Sequence, residues 1–136
     1  SLYGITKLVG EEYVKAHHKQ HGLDFTIARF FNVYGTGQVP EFVLPKFIEA
    51  VLSGSQITIT GTGEQMRSFC YVDDVAEAIY LMLTNSKASG EIFNIANDKA
   101  VVSIKELAEK VTKIECRICP TLPRLCHFSA IRPKFL

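Results

Sequence analysis

The run Phe25-Thr-Ile-Ala-Arg-Phe-Phe31 constrains the fold more than any other stretch. It is short, β-branched and aromatic, holds neither Gly nor Pro, and reads as a strand buried on both faces. A strand that apolar needs helices over it, which points to an α/β protein. Directly after it, Asn32-Val33-Tyr34-Gly35-Thr36-Gly37 breaks the pattern with two glycines. That stretch reads as a loop at the strand's carboxyl end, the edge where open α/β sheets bind ligands.

The residues before this strand supply a helix to cover it. Leu2, Ile5, Val9, Tyr13 and Ala16 recur at intervals of three to four, which predicts a helix over residues 2 to 21 with one buried stripe. His17, His18 and His21 fall with Lys15 and Lys19 in the last turns, where cations complement the helix dipole, and Gly22 is a natural stop. His17 and His21 stand four apart and could hold a metal, but no third ligand is suggested nearby, so they read as a solvated basic helix end. Tyr3 and Lys7 share a neighbouring face, one turn apart. A fixed ammonium beside a phenol favours the phenolate, which makes the pair a proton-transfer device. Tyr and Lys at this spacing also occur by chance on surface helices, and the pair by itself leaves both readings open.

Beyond the loop, Phe42, Val43, Phe47, Ile48 and Val51 predict a helix over residues 42 to 52, with Pro45 tolerated near its first turn and Ser53-Gly54 as its end. Gln56 to Thr60 alternates as a half-exposed strand, and Gly61-Thr62-Gly63 is a turn too short to count as a phosphate loop. Residues 67 to 72 have strand-like content. Asp73-Asp74 then precedes a helical stretch over residues 75 to 83, which either aspartate could cap. Arg67 stands near the glycine turn, where it either forks onto a phosphate or joins a surface ion pair. Residues 90 to 95 read as a strand, and Ser103-Ile-Lys-Glu106 is a capping box that opens a helix to about Val111.

After Lys113 neither period is clear, and Cys116, Cys119, Cys126 and His127 form a set that could bind zinc, though the middle spacing is short for such a module. An irregular tail over residues 114–136 is the plainer expectation. The four cysteines are unevenly placed, and an even number alone does not make a disulfide framework in a chain that otherwise reads as intracellular.

At 136 residues the chain is one domain at most, and its 47% hydrophobic content suffices for a modest core. A net charge of +1 with both signs interspersed supplies no polybasic field for nucleic acid or anionic lipid. The apolar runs are too short to span a membrane, and the N-terminus lacks the order of a signal peptide, so a cytoplasmic setting is expected.

Taken in order, Tyr3-Gly-Ile-Thr-Lys7, Arg29-Phe-Phe-Asn-Val-Tyr-Gly35, the stretch from Gly61 to Asp74 that contains Arg67, and Gly90-Glu-Ile-Phe-Asn-Ile95 resemble the extended short-chain dehydrogenase/reductases. More narrowly, they resemble the NAD-dependent sugar-nucleotide epimerase/dehydratase family to which UDP-glucose 4-epimerase belongs. The resemblance covers residues 1–113. It implies the C-terminal part of a Rossmann-type, doubly wound parallel sheet together with a small α/β substrate-binding lobe. It also implies NAD as cofactor, a nucleotide sugar linked to UDP or dTDP as substrate, and a homodimeric parent.

By the same resemblance, Tyr3 is the acid/base that takes the proton of a sugar hydroxyl, and Lys7 holds the nicotinamide ribose. Phe31 packs near the nicotinamide, or serves only the core. Asn32 donates to the nucleotide diphosphate, or only shapes the loop. Arg67 binds the diphosphate, and Val43 with Leu44 lies near the base. Epimerisation, 4,6-dehydration and decarboxylation of a UDP-uronate share Tyr3 and Lys7, so the residues leave the three open.

The glycine-rich dinucleotide fingerprint of the family is not among these 136 residues. The chain is therefore expected to be the C-terminal portion of a longer enzyme. A different class of reading makes it a truncated, non-catalytic binding or interaction remnant. By itself it is expected to be marginally stable, or to aggregate through the edge of the strand over residues 25 to 31.

Overall fold

The computed structural model describes residues 1–118 and 131–134. Helix α1 (Leu2–His21) starts where the Ser1 hydroxyl accepts from the Gly4 N–H at 3.2 Å. It ends where Gly22 turns left-handed, φ 68°, and donates its N–H to the His18 carbonyl at 2.8 Å. The helix is the one the spacing predicts, but its stripe is not buried: Ile5, Val9 and Tyr13 are each more than half exposed and Leu2 is 83% exposed. Periodicity shows that a helix has an apolar face, and burial needs a second surface, which the described residues do not bring to this one.

Strand β1 (Ile27–Phe30) lies within the run that reads as a strand. It pairs in parallel with β6 (Ile92–Ile95), in register Ile27 to Ile92 and Phe30 to Ile95. The ladder runs one residue further, because the Phe31 N–H donates to the Ile95 carbonyl at 3.1 Å. The expectation of burial on both faces fails here: Ile27 and Ala28 are half-buried, and Phe30 is 52% exposed. The next residues also differ from the loop the glycines suggest. Val33–Tyr34 is a short strand, β2, paired in parallel with β5 (Cys70–Tyr71), and the turn starts only at Gly35. Two good strand formers between an Asn and a Gly are too few to show a period, and it is β5 that makes them a strand.

The remaining elements build a lobe. Helix α2 (Val43–Leu52) carries Pro45 in its first turn, and β3 (Ile57–Thr60) alternates as its sequence predicts, with Ile57 and Ile59 buried and the threonines exposed. Strands β4 (Met66–Ser68) and β7 (Val101–Ser103) pair antiparallel, Arg67 opposite Val102. Helix α3 (Val72–Thr84) begins earlier than expected. Asp73 and Asp74 lie inside its first turn, where they suit the dipole, and neither caps it; Tyr71 holds the cap position without a side-chain bond.

Helix α4 (Ile104–Ile118) opens on the predicted capping box. The Glu106 N–H donates to the Ser103 hydroxyl at 3.0 Å, and the Ser103 N–H donates to the Glu106 carboxylate at 2.8 Å. It continues past Val111 and Lys113. Strand β8 (Ile131–Lys134) pairs in parallel with β3. Cys119, Cys126 and His127 lie outside the described residues, and of Cys116 only the backbone within α4 is described.

The buried cluster is confined to this lobe. Phe47 and Val51 of α2, Ile57 and Ile59 of β3, and Leu107, Ala108 and Val111 of α4 pack together with Phe69, which joins β4 to β5. Each large side chain buried in this way contributes about 1.5–3 kcal/mol. The elements around β1 have no comparable cluster among the described residues. Phe47, 3% exposed, is therefore expected to be costly to truncate: Phe47→Ala should lower stability by about 3–5 kcal/mol. Leu83→Ala, at a side chain 81% exposed, should change it by less than about 0.5 kcal/mol. Urea denaturation followed by circular dichroism measures both, and equal midpoints for the two variants would place the core elsewhere.

Candidate active site at the end of strand β1

A cleft of about 280 Å³ opens where β1 hands the chain to β2. Phe31, Asn32, Val43, Leu44 and Phe69 line it. Three residues singled out in the sequence, Phe31, Asn32 and Val43, thus meet in one place, brought there by the carboxyl end of a parallel strand and the first turn of α2. The location follows from topology: strand ends in such a sheet point their last side chains and backbone into the crevice outside it. Phe31 is 43% exposed, so its ring is not wholly spent on the core.

Asn32 is held by its neighbours. Its side-chain amide donates to the Ser68 carbonyl at 2.9 Å, while its own carbonyl accepts from the Cys70 N–H at 3.2 Å. One amide proton and the side-chain oxygen remain for a ligand. The same bond ties the cleft to Arg67, the residue before Ser68. Arg67 is exposed, and one guanidinium nitrogen donates to the Met66 carbonyl at 3.0 Å. It makes no ion pair among the described residues, so the rest of its fork is open to an anion. Arg67 does not itself line the cleft.

Tyr3 and Lys7 stand apart from the cleft on α1. The Lys7 ammonium is 5.2 Å from the centre of the Tyr3 ring, within the range of a cation–π contact, and Tyr3 is 72% exposed. The two side chains therefore share one patch of solvent. His17, read as part of a basic helix end, lies between Tyr13 and His21, with ring centres 4.5 and 5.3 Å away.

What connects the helix to the strand is a bond the spacing of the motifs does not reveal. The Arg29 guanidinium donates to both oxygens of Glu11, Nε to Oε1 at 2.7 Å and Nη2 to Oε2 at 2.6 Å. This fork holds the Glu11 carboxyl below the usual carboxylate range and raises Arg29, in each case chiefly through the hydrogen bond itself. A signal was present: Glu11 stands four residues after Lys7, as Lys7 stands after Tyr3, and Arg29 lies two residues before Phe31.

The turn after β2 is packed closely against α3. A side-chain carbon at Gly35 would lie 2.9 Å from Val72 Cβ, nearer still to Val72 Cγ1, so the backbone passes there only because the residue is glycine.

Residues 1–96 match the family model described as the NAD dependent epimerase/dehydratase family. A putative UDP-glucose 4-epimerase of Methanocaldococcus jannaschii is 43% identical over 110 residues, which are 79% of this chain and 35% of that protein. A dTDP-D-glucose 4,6-dehydratase of Dictyostelium discoideum is 33% identical over 112 residues, 82% of this chain and 25% of that protein. Among solved structures, UDP-glucose 4-epimerase of Thermotoga maritima with UDP-glucose superposes with a TM-score of 0.82 at 29% identity, covering 98% of this chain and 40% of the other. The chain thus spans a quarter to about a third of the length of these two curated relatives.

The Glu11–Arg29 fork should respond to acid in a definite direction. A carboxyl whose value is depressed in the folded state stabilises above its unfolded value and loses that contribution as pH falls through the folded one. Amide exchange of α1 is therefore expected to stay slow from neutral pH down to the usual carboxylate range, and to quicken, after correction for intrinsic rates, as pH falls through that range and below it. Quickening above that range would show that the fork does not hold α1.

Proposed function

The chain belongs to the NAD dependent epimerase/dehydratase family, and on that premise we propose that it supplies the acid/base pair and part of the substrate site of a nucleotide-sugar epimerase. The observation that carries the reading is the arrangement at β1. One end of that strand opens into the cleft of Phe31, Asn32 and Val43, and Arg29 within it is bonded to the helix that bears Tyr3 and Lys7. The similarity to a putative UDP-glucose 4-epimerase supports a UDP-sugar as the substrate.

The donor set fits one end of a nicotinamide dinucleotide. An ammonium with three donors and a phenol, both in solvent and one turn apart, suit the hydroxyls of a ribose, and the exposed ring of Phe31 suits a planar base. Lys7, Tyr3 and Phe31 are the residues that would hold it. Bound NAD supplies the hydride acceptor for the sugar carbon.

The work of this chain is the proton. Tyr3 takes it from the hydroxyl on that carbon, and returns it to the same oxygen when the carbonyl is reduced again to the epimeric alcohol. Lys7 keeps a positive charge against the phenol, which lowers the cost of the phenolate. Asn32 and Arg67 fix the diphosphate, Asn32 with its remaining amide proton and Arg67 with the free part of its fork. Val43 and Leu44 close the cleft beside the nucleotide base.

Similarity to a 4,6-dehydratase favours a second reading in which the same pair begins the elimination of water from the sugar. The two separate by product: epimerisation keeps the mass of the nucleotide sugar and dehydration lowers it by one water.

In the native polypeptide that carries this sequence, UDP-glucose is expected to convert to its 4-epimer with a transient rise in reduced nicotinamide absorbance. Tyr3→Phe should lower kcat by about 10²–10⁴-fold with KM within about twofold, because the proton acceptor is lost and the contacts to substrate are kept. Mass spectrometry and proton NMR of the product read both outcomes. Wild-type turnover in Tyr3→Phe would take Tyr3 out of the mechanism.

A further inference from the structure

We infer that Glu11 and Arg29 are positioning residues, a fork between helix and strand that sets where the Tyr3 hydroxyl stands relative to the cleft. The inference rests on the proposed function for its catalytic consequence, and on geometry alone for the tether.

Helix α1 buries none of its residues among those described. Packing therefore does not fix its placement. Its side-chain bonds to the rest of the described chain are of two kinds. Near its C-terminal end, the His18 ring bonds the Leu23 carbonyl at 2.7 Å and meets the Phe25 ring edge-on with centres 5.2 Å apart. The other is the Glu11 fork on Arg29. No hydrogen bond or ion pair joins residues 2–10 to a strand among the described residues.

The fork lies on the side that matters. Tyr3, Lys7 and Glu11 follow one another at intervals of four, which on a 3.6-residue helix places them within about 80° of arc. Arg29 and Phe31 are two apart on a ladder that extends to Phe31, so both side chains leave the same face of the sheet. The fork therefore draws the face of α1 that bears the phenol and ammonium toward the face of the strand that ends in the cleft.

Magnitude decides that this should be felt in turnover. Glu11 lies about 12 Å along the helix axis from Tyr3 at 1.5 Å per residue. A tilt of about 10° about that point moves the Tyr3 end by about 2 Å, and misplacement by about 1 Å can cost 10²-fold in a proton or hydride step. A bidentate fork resists such a tilt better than a single bond, because both N–H···O directions must bend together. Glu11 touches neither cofactor nor substrate on this reading and acts only through Tyr3.

The test uses Glu11→Gln in the native polypeptide, with UDP-glucose and NAD, and hydrogen exchange of the same proteins without ligand. Expected is a fall in kcat of about tenfold or more with KM for UDP-glucose within about twofold, and faster exchange of α1 amides while those of Ile57 and Leu107 in the core stay as slow as in wild type. Arg29→Lys, which keeps the charge and loses the fork, should fall between the two. Should Glu11→Gln also lose protection at Ile57 and Leu107, the comparison passes to Arg29→Lys, in which kcat and α1 exchange must move together. Unchanged kcat, a loss confined to KM, or unchanged α1 exchange in a variant with an intact core overturns the inference. A wild-type protein that converts no UDP-glucose refutes the proposed activity instead, and the exchange measurement then still decides whether the fork holds the helix.

Discussion

The packing of α2 and α4 across β3 is the constraint on which the rest of the described structure depends. Phe47, Ile57, Ile59 and Ala108 are all but closed to solvent, and no comparable set exists elsewhere among the described residues. Removing those surfaces from water provides the main non-directional driving force that this fold shows. Part of the cleft is attached to that cluster. Val43 and Leu44 are the first turn of a helix whose second half is in the core, and Phe69 belongs to both core and cleft. One wall of the cleft is therefore continuous with the buried cluster.

Helix α1, which bears Tyr3 and Lys7, is held differently. Helix α1 is held by its own caps, by His18 at its C-terminal end and by the fork from Glu11 to Arg29, with no buried side chain. Polar bonds of this kind specify direction where packing specifies volume. The consequence is an asymmetric site: one wall is fixed by apolar burial, while the position of Tyr3 and Lys7 depends on charge-assisted hydrogen bonds at an exposed boundary. Exposed apolar side chains along α1 and α3, such as Leu2, Val9 and Leu83, mark surfaces that the described residues leave uncovered.

Much of the fold was legible in short-range pattern. The capping box at Ser103, the Gly22 stop, the alternation of Ile57 and Ile59, and the period of α2 are all interactions among residues a few positions apart, and each appears where its spacing predicts. The misreadings share a cause. Val33–Tyr34 is a strand only because Cys70–Tyr71 lies beside it, and Asp73–Asp74 sits inside α3 rather than before it because the helix begins at Val72, directly after β5. Burial of Phe30 and of the α1 stripe was inferred from apolar content, which states a preference and not the presence of a partner surface. At the site, the sequence singled out Phe31, Asn32 and Val43 one by one, and it is the fold that sets them on one cleft; the bond from Glu11 to Arg29 joins residues whose spacing alone assigns them no partner.

By itself, then, the sequence determined an α/β protein, the helices and most strands with the caps at Gly22 and Ser103, and membership in the NAD dependent epimerase/dehydratase family. These follow from local periodicity, from capping chemistry, and from motifs that keep their order. Only the tertiary structure decided which apolar faces are buried, that the main buried cluster gathers α2, β3, α4 and Phe69, and that, among the described residues, a charged fork links the helix of Tyr3 and Lys7 to the strand of the cleft. The physical reason is that burial and ion pairing are properties of two surfaces at once, and the second surface in each case comes from a distant part of the chain.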